Sequence, residues 1–418
     1  MSNSVEQDLA LKAIAEGQNT AIFGAGGVGK SFLIKQAYTP NNTILCAPTG
    51  IAAINIKGAT CHSVFGLPFG LPSAADKARI PKWVKQKLSC HALERIIIDE
   101  VGMLRADMLD MIDLRLKKAR GNKKPFGGVQ MVLVGDPFQL EPIVSKNEEE
   151  HFYCTYKTPF FFGAECWKGF ESITLTKVFR QENEDHIKAL NTVRAKEDSY
   201  EEALKYILSV STTSPNPSSV YLCATKAAAK KINDVQYNKL KSEEKVFRGY
   251  MDGAVKWDSG LPVEEVISLR IGTKVLIAAN GDTYKNGDTG VVKDLLDGLV
   301  VVTLDRNKED VVVSITEWET YKYQNVNGNL HKEIDKTYYQ IPVRLGWAIT
   351  IHASQGMTLD HVALDVGYGC FSHGQLYVAL SRIRDLRNLH VVTPLKESDV
   401  IVKEDVINFF KGGAWKIN

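Results

Sequence analysis

The sequence predicts an α/β fold of two parallel-sheet domains, with a small β-barrel inserted into the second. From residue 1 to about 175, short apolar strand-like runs alternate with helix-like runs, as in a parallel sheet covered on both faces. A second alternating block begins near Ile173. Between about 290 and 345, short strands of period 2 dominate, with turn signals at Asp297-Gly298 and Asn327-Gly328. This stretch is the predicted barrel.

Individual elements follow from the same runs. In the first block we expect strands at 20–23, 43–47, 95–99 and 129–135, and helices near 5–16, 30–38, 50–56 and 103–119. In the second block we expect strands at 219–225, 274–278, 361–366 and 389–393, and helices at 182–196 and 226–240. Nucleotides bind such sheets at the carboxyl ends of the strands. We therefore expect the functional side chains at those ends.

Composition narrows the class of protein. A chain of 418 residues is too long for one compact core, and its 44% hydrophobic content is that of an ordinary globular protein. No apolar run approaches the roughly 20 residues of a membrane span, and no secretory signal is visible, so we expect a cytoplasmic protein. The seven cysteines stand singly without a C-x-x-C pair, which predicts reduced thiols. With a net charge of only +2, any polyanion site must be a local patch.

The stretch 24–31 reads G-x-x-x-x-G-K-S between a strand-like and a helix-like run, which is a phosphate-binding loop. Its glycines let backbone N–H groups turn toward phosphate oxygens, and the following helix points its positive end at the same anion. Lys30 would reach the β- and γ-phosphates of ATP, and the Ser31 hydroxyl would bind Mg²⁺. The predicted nucleotide-binding residues here are Gly24, Ala25, Gly26, Gly27, Val28, Gly29, Lys30 and Ser31.

Two further strand ends carry candidate catalytic groups. The apolar run 95–98 ends in Asp99, which can hold Mg²⁺, and Glu100, which can deprotonate an attacking water. The strand at 129–135 is followed by Gln139, whose amide could contact a terminal phosphate or the attacking water. The alternative for Asp99 and Glu100 is an acidic turn without a catalytic role, and the alternative for Gln139 is a glutamine on the protein surface.

Arg180 and Arg382 lie in the second block. An arginine brought across a domain cleft can neutralise charge on a transferring phosphoryl group. From spacing alone, the favoured interpretation of each is a surface arginine paired with a carboxylate.

A basic and aromatic segment at 63–92 interrupts the α/β rhythm. It mixes Phe65, Phe69 and Trp83 with several lysines. Cations follow phosphates and aromatic faces stack on bases, so this segment is a candidate DNA surface. The alternative is a solvated basic helix with Trp83 in the core. A second basic run at 117–124 is better explained as a solvated helix end.

Taken together, the motifs resemble the superfamily 1, group B DNA helicases of the petite-integration-frequency (PIF) type, related to RecD-like helicases. The matching segments, in order, are GAGGVGKS at 24–31, APTGIAAINIKGATCHS at 47–63, IIIDEVGML at 96–104, PFGG at 125–128, GDPFQLEPI at 135–143, LTKVFRQ at 175–181, NGDTGVV at 286–292, AITIHASQG at 348–356 and GQLYVALSR at 374–382. They cover the chain from about residue 5 to 395.

The resemblance implies two RecA-like P-loop NTPase domains that hydrolyse ATP with Mg²⁺ and move 5′ to 3′ on single-stranded DNA. It also implies a barrel of the Src-homology type. The expected boundaries are 1–62 and 91–174 for the first motor domain, 63–90 for an inserted wedge, 175–290 and 346–418 for the second motor domain, and 291–345 for the barrel. Either Trp83 or Phe65 would form the wedge that separates strands.

The resemblance also assigns residues. Arg180 and Arg382 become arginine fingers, which reverses the interpretation from spacing. Gln7 would read the adenine edge, and Gln355 and Gly356 would lie at the nucleotide between the domains. The DNA contacts it implies are Thr49, Thr60, His62, Phe65, Thr350 and His352. Ala353 stands where relatives often carry lysine, so one phosphate contact could be missing.

These residues predict an ATP-dependent DNA helicase that binds single-stranded DNA and junctions with duplex, in replication, recombination or repair. We expect a monomeric motor in the cytoplasm, associated with the nucleoid if the source is prokaryotic. The main alternative is a translocase, the motor subunit of a recombination complex that does not itself unwind. A DNA-binding scaffold with a vestigial nucleotide site and a small-molecule kinase are disfavoured, because every catalytic group and a second α/β block are present.

Overall fold

The first half of the chain forms a six-stranded parallel sheet. A computed structural model describes residues 3–179, 181, 183–252 and 260–412. The strands are β1 (Thr20–Gly24), β2 (Thr43–Ala47), β3 (Ala59–Thr60), β4 (Arg95–Ile98), β5 (Gln130–Gly135) and β6 (Glu171–Leu175), in the sheet order β3-β2-β4-β5-β1-β6. Every residue of β1, β2 and β5 is buried, as expected for a parallel sheet covered on both faces.

Eight helices accompany this sheet in the described residues. They are α1 (Val5–Ala15), α2 (Lys30–Ala37), α3 (Gly50–Asn55), α4 (Cys61–Phe65), α5 (Ala74–Ala78), α6 (Lys82–Leu88), α7 (Ala106–Arg120) and α8 (Glu149–Tyr153). Helix α1 begins with a capping box in which Ser4 and Gln7 exchange hydrogen bonds. Thr49 and Thr60 accept hydrogen bonds as N-caps of α3 and α4. The predicted strands and helices of this half are confirmed.

The second α/β unit is a four-stranded parallel sheet. Its elements are α9 (Glu184–Ala195), α10 (Tyr200–Val210), β7 (Val220–Cys223) and α11 (Lys226–Tyr237). In the described part of the segment that follows, the strands are β8 (Lys245–Arg248), β9 (Tyr250–Asp252), β10 (Val266–Leu269), β11 (Lys274–Ile277), β12 (Thr289–Leu296), β13 (Leu299–Leu304), β14 (Asp310–Ser314), β15 (Thr316–Val326), β16 (Asn329–Gln340) and β17 (Val343–Leu345). The unit resumes with β18 (Ala348–Thr350), β19 (Val362–Asp365), α12 (Gln375–Leu380), β20 (Leu389–Val391) and α13 (Glu404–Lys411), in the sheet order β18-β7-β19-β20.

The intervening strands are antiparallel. They form sheets of the orders β10-β8, β14-β13-β12-β11-β17 and β15-β16-β9, and among the described residues these pairings do not close into a barrel. Strand β11 was expected in the parallel block, but it pairs antiparallel with β12 and β17. The sequence of a short apolar strand that is buried on both faces does not show whether its sheet is parallel or antiparallel. Burial on both faces removes the alternation of apolar and polar residues that is typical of a half-exposed antiparallel strand.

Two segments from the second half of the chain pack into the core of the first unit. The hairpin of β15 and β16 extends to the first sheet, where Tyr323 and Leu330 are buried in the first core. The Tyr323 hydroxyl accepts a hydrogen bond from the Leu45 N–H at 3.0 Å, next to the point where β3 stops pairing with β2. Helix α13 returns to the first unit, and the Phe410 ring lies 4.8 Å from that of Phe138.

The segment predicted as a separate wedge is tied to the first unit. Helix α6 buries Val84 and Leu88 completely in the first core. No described helix has both the length and the apolar character that a membrane crossing needs.

Candidate nucleotide site and nucleic-acid groove

The phosphate loop connects β1 to α2 as the motif predicts. Gly27 and Gly29 have φ angles of 86° and 85°, a conformation that favours glycine. A Cβ on Gly24 would lie 2.7 Å from Val28 Cγ2 and 2.8 Å from the Leu175 carbonyl oxygen, so no side chain fits there. Helix α2 begins at Lys30, which directs its N-terminal end at the loop.

Lys30 lies at the centre of the site. Its ammonium group donates to the carbonyl oxygens of Gly24 at 2.8 Å and Ala25 at 2.9 Å. Burial lowers the pKa of Lys30, while the carboxylates of Asp136, Glu100 and Asp99 act to raise it. This lysine therefore faces three acidic side chains from the ends of two neighbouring strands.

Asp99 and Glu100 follow β4 directly. Glu100 has a left-handed φ of 51°, and its N–H donates to Asp99 Oδ1 at 2.9 Å. Burial raises the pKa of Asp99 to about 7, and the Glu100 carboxylate adds to the rise. Burial also raises the pKa of Glu100, against opposing effects of Lys30 and Arg382. Two half-buried carboxyls, with pKa values raised by their surroundings, fit a site for a divalent cation.

Gln139 and Gln355 meet between the two units. Gln139 is buried, and its Nε2 donates a hydrogen bond to Asp136 Oδ2 at 3.4 Å. Gln355 donates its Nε2 to Gln139 Oε1 at 3.3 Å. Gly356 follows with a φ of 81°. The structure thus brings together two predicted nucleotide residues from different halves of the chain.

Arg382 is buried in the second unit close to this site. Its guanidinium donates to the carbonyl oxygens of Val378 at 2.9 Å and Met357 at 3.3 Å. The charge of Arg382 acts on Glu100, whose pKa it lowers. This interaction links Arg382 of the second unit to Glu100 of the first. The other predicted finger, Arg180, lies outside the described residues.

One corner of the site is formed by Gln7, Gly29 and Phe179. Gln7 donates its Nε2 to the Val28 carbonyl at 3.3 Å, and a Cβ on Gly29 would lie 2.6 Å from that nitrogen. The same Cβ would lie 3.6 Å from the Phe179 ring. Phe179 donates its N–H to the Gly27 carbonyl at 2.9 Å. Sequence analysis missed Phe179, although it precedes a predicted arginine finger.

A groove of about 590 Å³ lies beside α3 and α4. It is lined by Pro48, Thr49, Gly50, Thr60, His62, Ser63, Gly66, Leu67, Phe69, Pro81, Trp83, Gly260, Thr320, Tyr321, Asp335 and Lys336. Three predicted DNA contacts, Thr49, Thr60 and His62, are therefore in one place. The His62 ring stacks on Phe69 with centroids 5.0 Å apart, and 81% of Phe69 is exposed.

The prediction that Phe65 contacts DNA needs correction. Phe65 is completely buried in the first core, because it lies on the inner face of α4. The exposed aromatic residues of this groove are Phe69 and Trp83 instead, and the Lys87 ammonium lies 4.7 Å from the Trp83 ring centroid.

The predicted DNA contacts of the second unit lie elsewhere. Thr350 ends β18 and accepts a hydrogen bond from the Ala353 N–H at 3.1 Å, and His352 is exposed beside it. Neither lines the groove beside α3 and α4.

Comparison with known proteins agrees with this geometry. A family model described as PIF1-like helicase matches residues 3–211. The ATP-dependent DNA helicase PIF1 of Danio rerio is 32% identical over 98% of this chain and 63% of its own length. The ATP-dependent DNA helicase Pif1 of Bdellovibrio bacteriovorus is 30% identical over 98% of this chain and 91% of its own.

Solved structures give the same result. Pif1 from Bacteroides sp in complex with ADP-AlF4 superposes with a TM-score of 0.89, at 32% identity over 99% of this chain and 97% of that one. Bacteroides Pif1 bound to ssDNA gives 0.70 at 33% identity over the same shares.

The parallel sheets and the phosphate loop define a RecA-like P-loop protein. The family match, together with a relative that this chain nearly spans, shows that the chain belongs to the PIF1-like helicase family. It spans about three fifths of the length of the zebrafish relative.

Proposed function

We propose that this protein is an ATP-dependent DNA helicase that moves along single-stranded DNA, 5′ to 3′, and separates duplex DNA. The observation that carries the proposal is the hydrogen bond between Gln355 and Gln139, because Gln139 also donates to Asp136, whose charge acts on Lys30. A triphosphate bound there touches both units, so its hydrolysis changes how they are held together. The relatives named as ATP-dependent DNA helicases and the Bacteroides complex with ssDNA support the same conclusion.

Each predicted residue has a task in ATP hydrolysis. Lys30 and the loop amides bind the phosphates, and Glu100 accepts a proton from the attacking water. Ser31 and Asp99 would hold Mg²⁺, which supplies positive charge to the phosphate oxygens. Gln139 contacts the γ-phosphate, and Arg180 and Arg382 neutralise charge that develops on it. Gln7 binds the adenine edge.

For DNA, we propose that the groove beside α3 and α4 holds part of the single strand. Thr49 and Thr60 offer hydroxyl groups to phosphates, and His62, Phe69 and Trp83 offer faces for bases. Thr350 and His352 provide the second unit's contacts. Alternate tightening on the two sets of contacts would advance the protein along the strand.

The same proposal includes three further properties of the protein. It acts as a monomer, it works in the cytoplasm, and its inserted strands form a small barrel of the Src-homology type. The domain boundaries are proposed as predicted, with Trp83 as the aromatic residue that divides the strands.

A translocase that does not unwind is the second candidate, since the motor would be the same. Phosphate release with and without single-stranded DNA tests the shared activity. Displacement of streptavidin from biotinylated strands then tests movement: a 5′-to-3′ motor clears the 3′ end with ATP. Movement without separation of a tailed duplex would favour the translocase, and no DNA stimulation of ATP hydrolysis would contradict both.

A further inference from the structure

We propose that Tyr377 is a further residue of the nucleotide site that contacts the triphosphate, and that Arg194 is the positioning residue that holds it. Both belong to the second unit and act on the first. The inference rests on the ATP hydrolysis proposed above and adds two residues that the motifs left unassigned.

Tyr377 extends to the phosphate loop from α12. Its hydroxyl accepts a hydrogen bond from the Gly26 N–H at 3.0 Å, and only 4% of the residue is exposed. Loop amides of this kind bind phosphate oxygens. A hydroxyl this close to one of them is within reach of a bound phosphate group, and a hydroxyl that accepts one hydrogen bond still has its own proton to donate. Burial raises the pKa of Tyr377 to about 12, so the proton is present at neutral pH.

Arg194 joins this tyrosine to the acidic side of the site. Its Nη2 lies 2.6 Å from Asp136 Oδ1, and the Asp136 side chain is completely buried. The guanidinium carbon lies 4.3 Å from the Phe138 ring centroid and 5.9 Å from that of Tyr377. Arg194 therefore contacts the loop that carries Gln139 and, on another side, the tyrosine that faces Gly26.

The ion pair also crosses between the units. Arg194 lies on α9, whose residues Leu190 and Val193 are buried in the second core. Asp136 follows β5 of the first unit and also accepts from Gln139. Because Arg194 neutralises Asp136, one of the three carboxylates around Lys30 does not repel a triphosphate. The Arg194 side chain thereby connects the acidic side of the nucleotide site to α9.

Two substitutions separate these roles. Tyr377→Phe removes one oxygen atom and keeps the ring beside Arg194, and we expect kcat/KM for ATP to fall about 10- to 100-fold, the effect of one hydrogen bond to a charged group.

Arg194→Gln leaves Asp136 unpaired, and we expect it to raise the KM for ATP by more than it lowers kcat. Adding Asp136→Asn to Arg194→Gln removes the unpaired charge and should lower that KM again.

The matched control is Tyr368→Phe, because Tyr368 is fully exposed. Steady-state ATP hydrolysis would be measured for each variant at a temperature where circular dichroism shows the native fold. Loss in Tyr377→Phe with an unchanged Tyr368→Phe supports the inference. Wild-type kcat/KM in Tyr377→Phe would overturn the role of Tyr377, and an equal KM in the single and double variants would overturn that of Arg194. An inactive wild type would instead contradict the proposed function.

Discussion

Gln355 donates a hydrogen bond to Gln139 at 3.3 Å, across 216 residues of sequence and from one unit to the other. Gln139 also donates to Asp136, whose carboxylate acts on Lys30 of the phosphate loop. The candidate nucleotide site therefore includes residues from both halves of the chain.

Lys30→Ala should abolish ATP hydrolysis and leave the fold intact. The lysine is half-buried and its ammonium group donates to two backbone carbonyls, so its removal costs little packing. The phosphates, however, lose their main protein cation. Phosphate release in the presence of single-stranded DNA measures the effect. Lys35→Ala is the matched control, since Lys35 is exposed on the same helix. Wild-type turnover in Lys30→Ala would refute the assignment of the site.

Phe69→Ala and Trp83→Ala should weaken binding of single-stranded DNA by about 1–3 kcal/mol for each base that loses its stacking partner. Both side chains are exposed in the groove. Phe65→Leu should leave DNA affinity unchanged and lower stability, because Phe65 is a core residue. Fluorescence anisotropy with a labelled oligonucleotide measures affinity, and thermal unfolding measures stability. Weaker DNA binding by Phe65→Leu, with unchanged binding by Phe69→Ala and Trp83→Ala, would show instead that Phe65 contacts DNA.

His373 should make stability depend on pH. The ring is buried between the units: Nε2 donates to the Pro137 carbonyl at 2.8 Å, and Nδ1 accepts from the Lys403 N–H at 2.9 Å. Burial lowers the pKa of His373, Lys403 acts in the same direction, and Glu141 and Asp136 oppose it. The neutral ring is therefore favoured in the folded state. Its contribution is complete above the unfolded pKa of about 6.5 and is lost as pH falls through the lower folded value.

Thermal unfolding between about pH 7.5 and pH 5 measures this contribution. The midpoint of the wild type should fall more steeply toward acid than that of His373→Gln. His151→Gln, a substitution at an exposed histidine, should follow the wild type. Parallel curves for wild type and His373→Gln would show that the buried ring does not respond to pH.

Tyr323→Phe should lower the free energy of unfolding by about 1–3 kcal/mol, because it leaves the buried Leu45 N–H without its side-chain acceptor. Urea unfolding gives the value, and Tyr368→Phe serves as the exposed control. No change would mean that the hydrogen bond from Leu45 to Tyr323 adds nothing to the stability of the folded protein.

The sequence predicted the parts of the molecule that local chemistry determines. The phosphate loop and the strand that precedes Asp99 depend on residues a few positions apart, so spacing reveals them. Which face of α4 is buried depends on packing, and Phe65 was misassigned for that reason.

Contacts between segments that are far apart in the chain leave no recognisable pattern in the sequence, so they could not be predicted from it. Arg194 is an ordinary polar residue of an amphipathic helix until the fold places Asp136 beside it. Tyr377 and the hairpin residue Tyr323 likewise gain their partners only when separate units come together.

Separation of a duplex under single-turnover conditions tests the central proposal most directly. The account predicts that the wild type, with ATP and Mg²⁺, separates a duplex with a 5′ single-stranded tail, and that Lys30→Ala does not. A duplex with only a 3′ tail should stay paired. Equal separation by Lys30→Ala, or separation by the wild type without ATP, would contradict the claim that a nucleotide held by both units drives the protein along DNA.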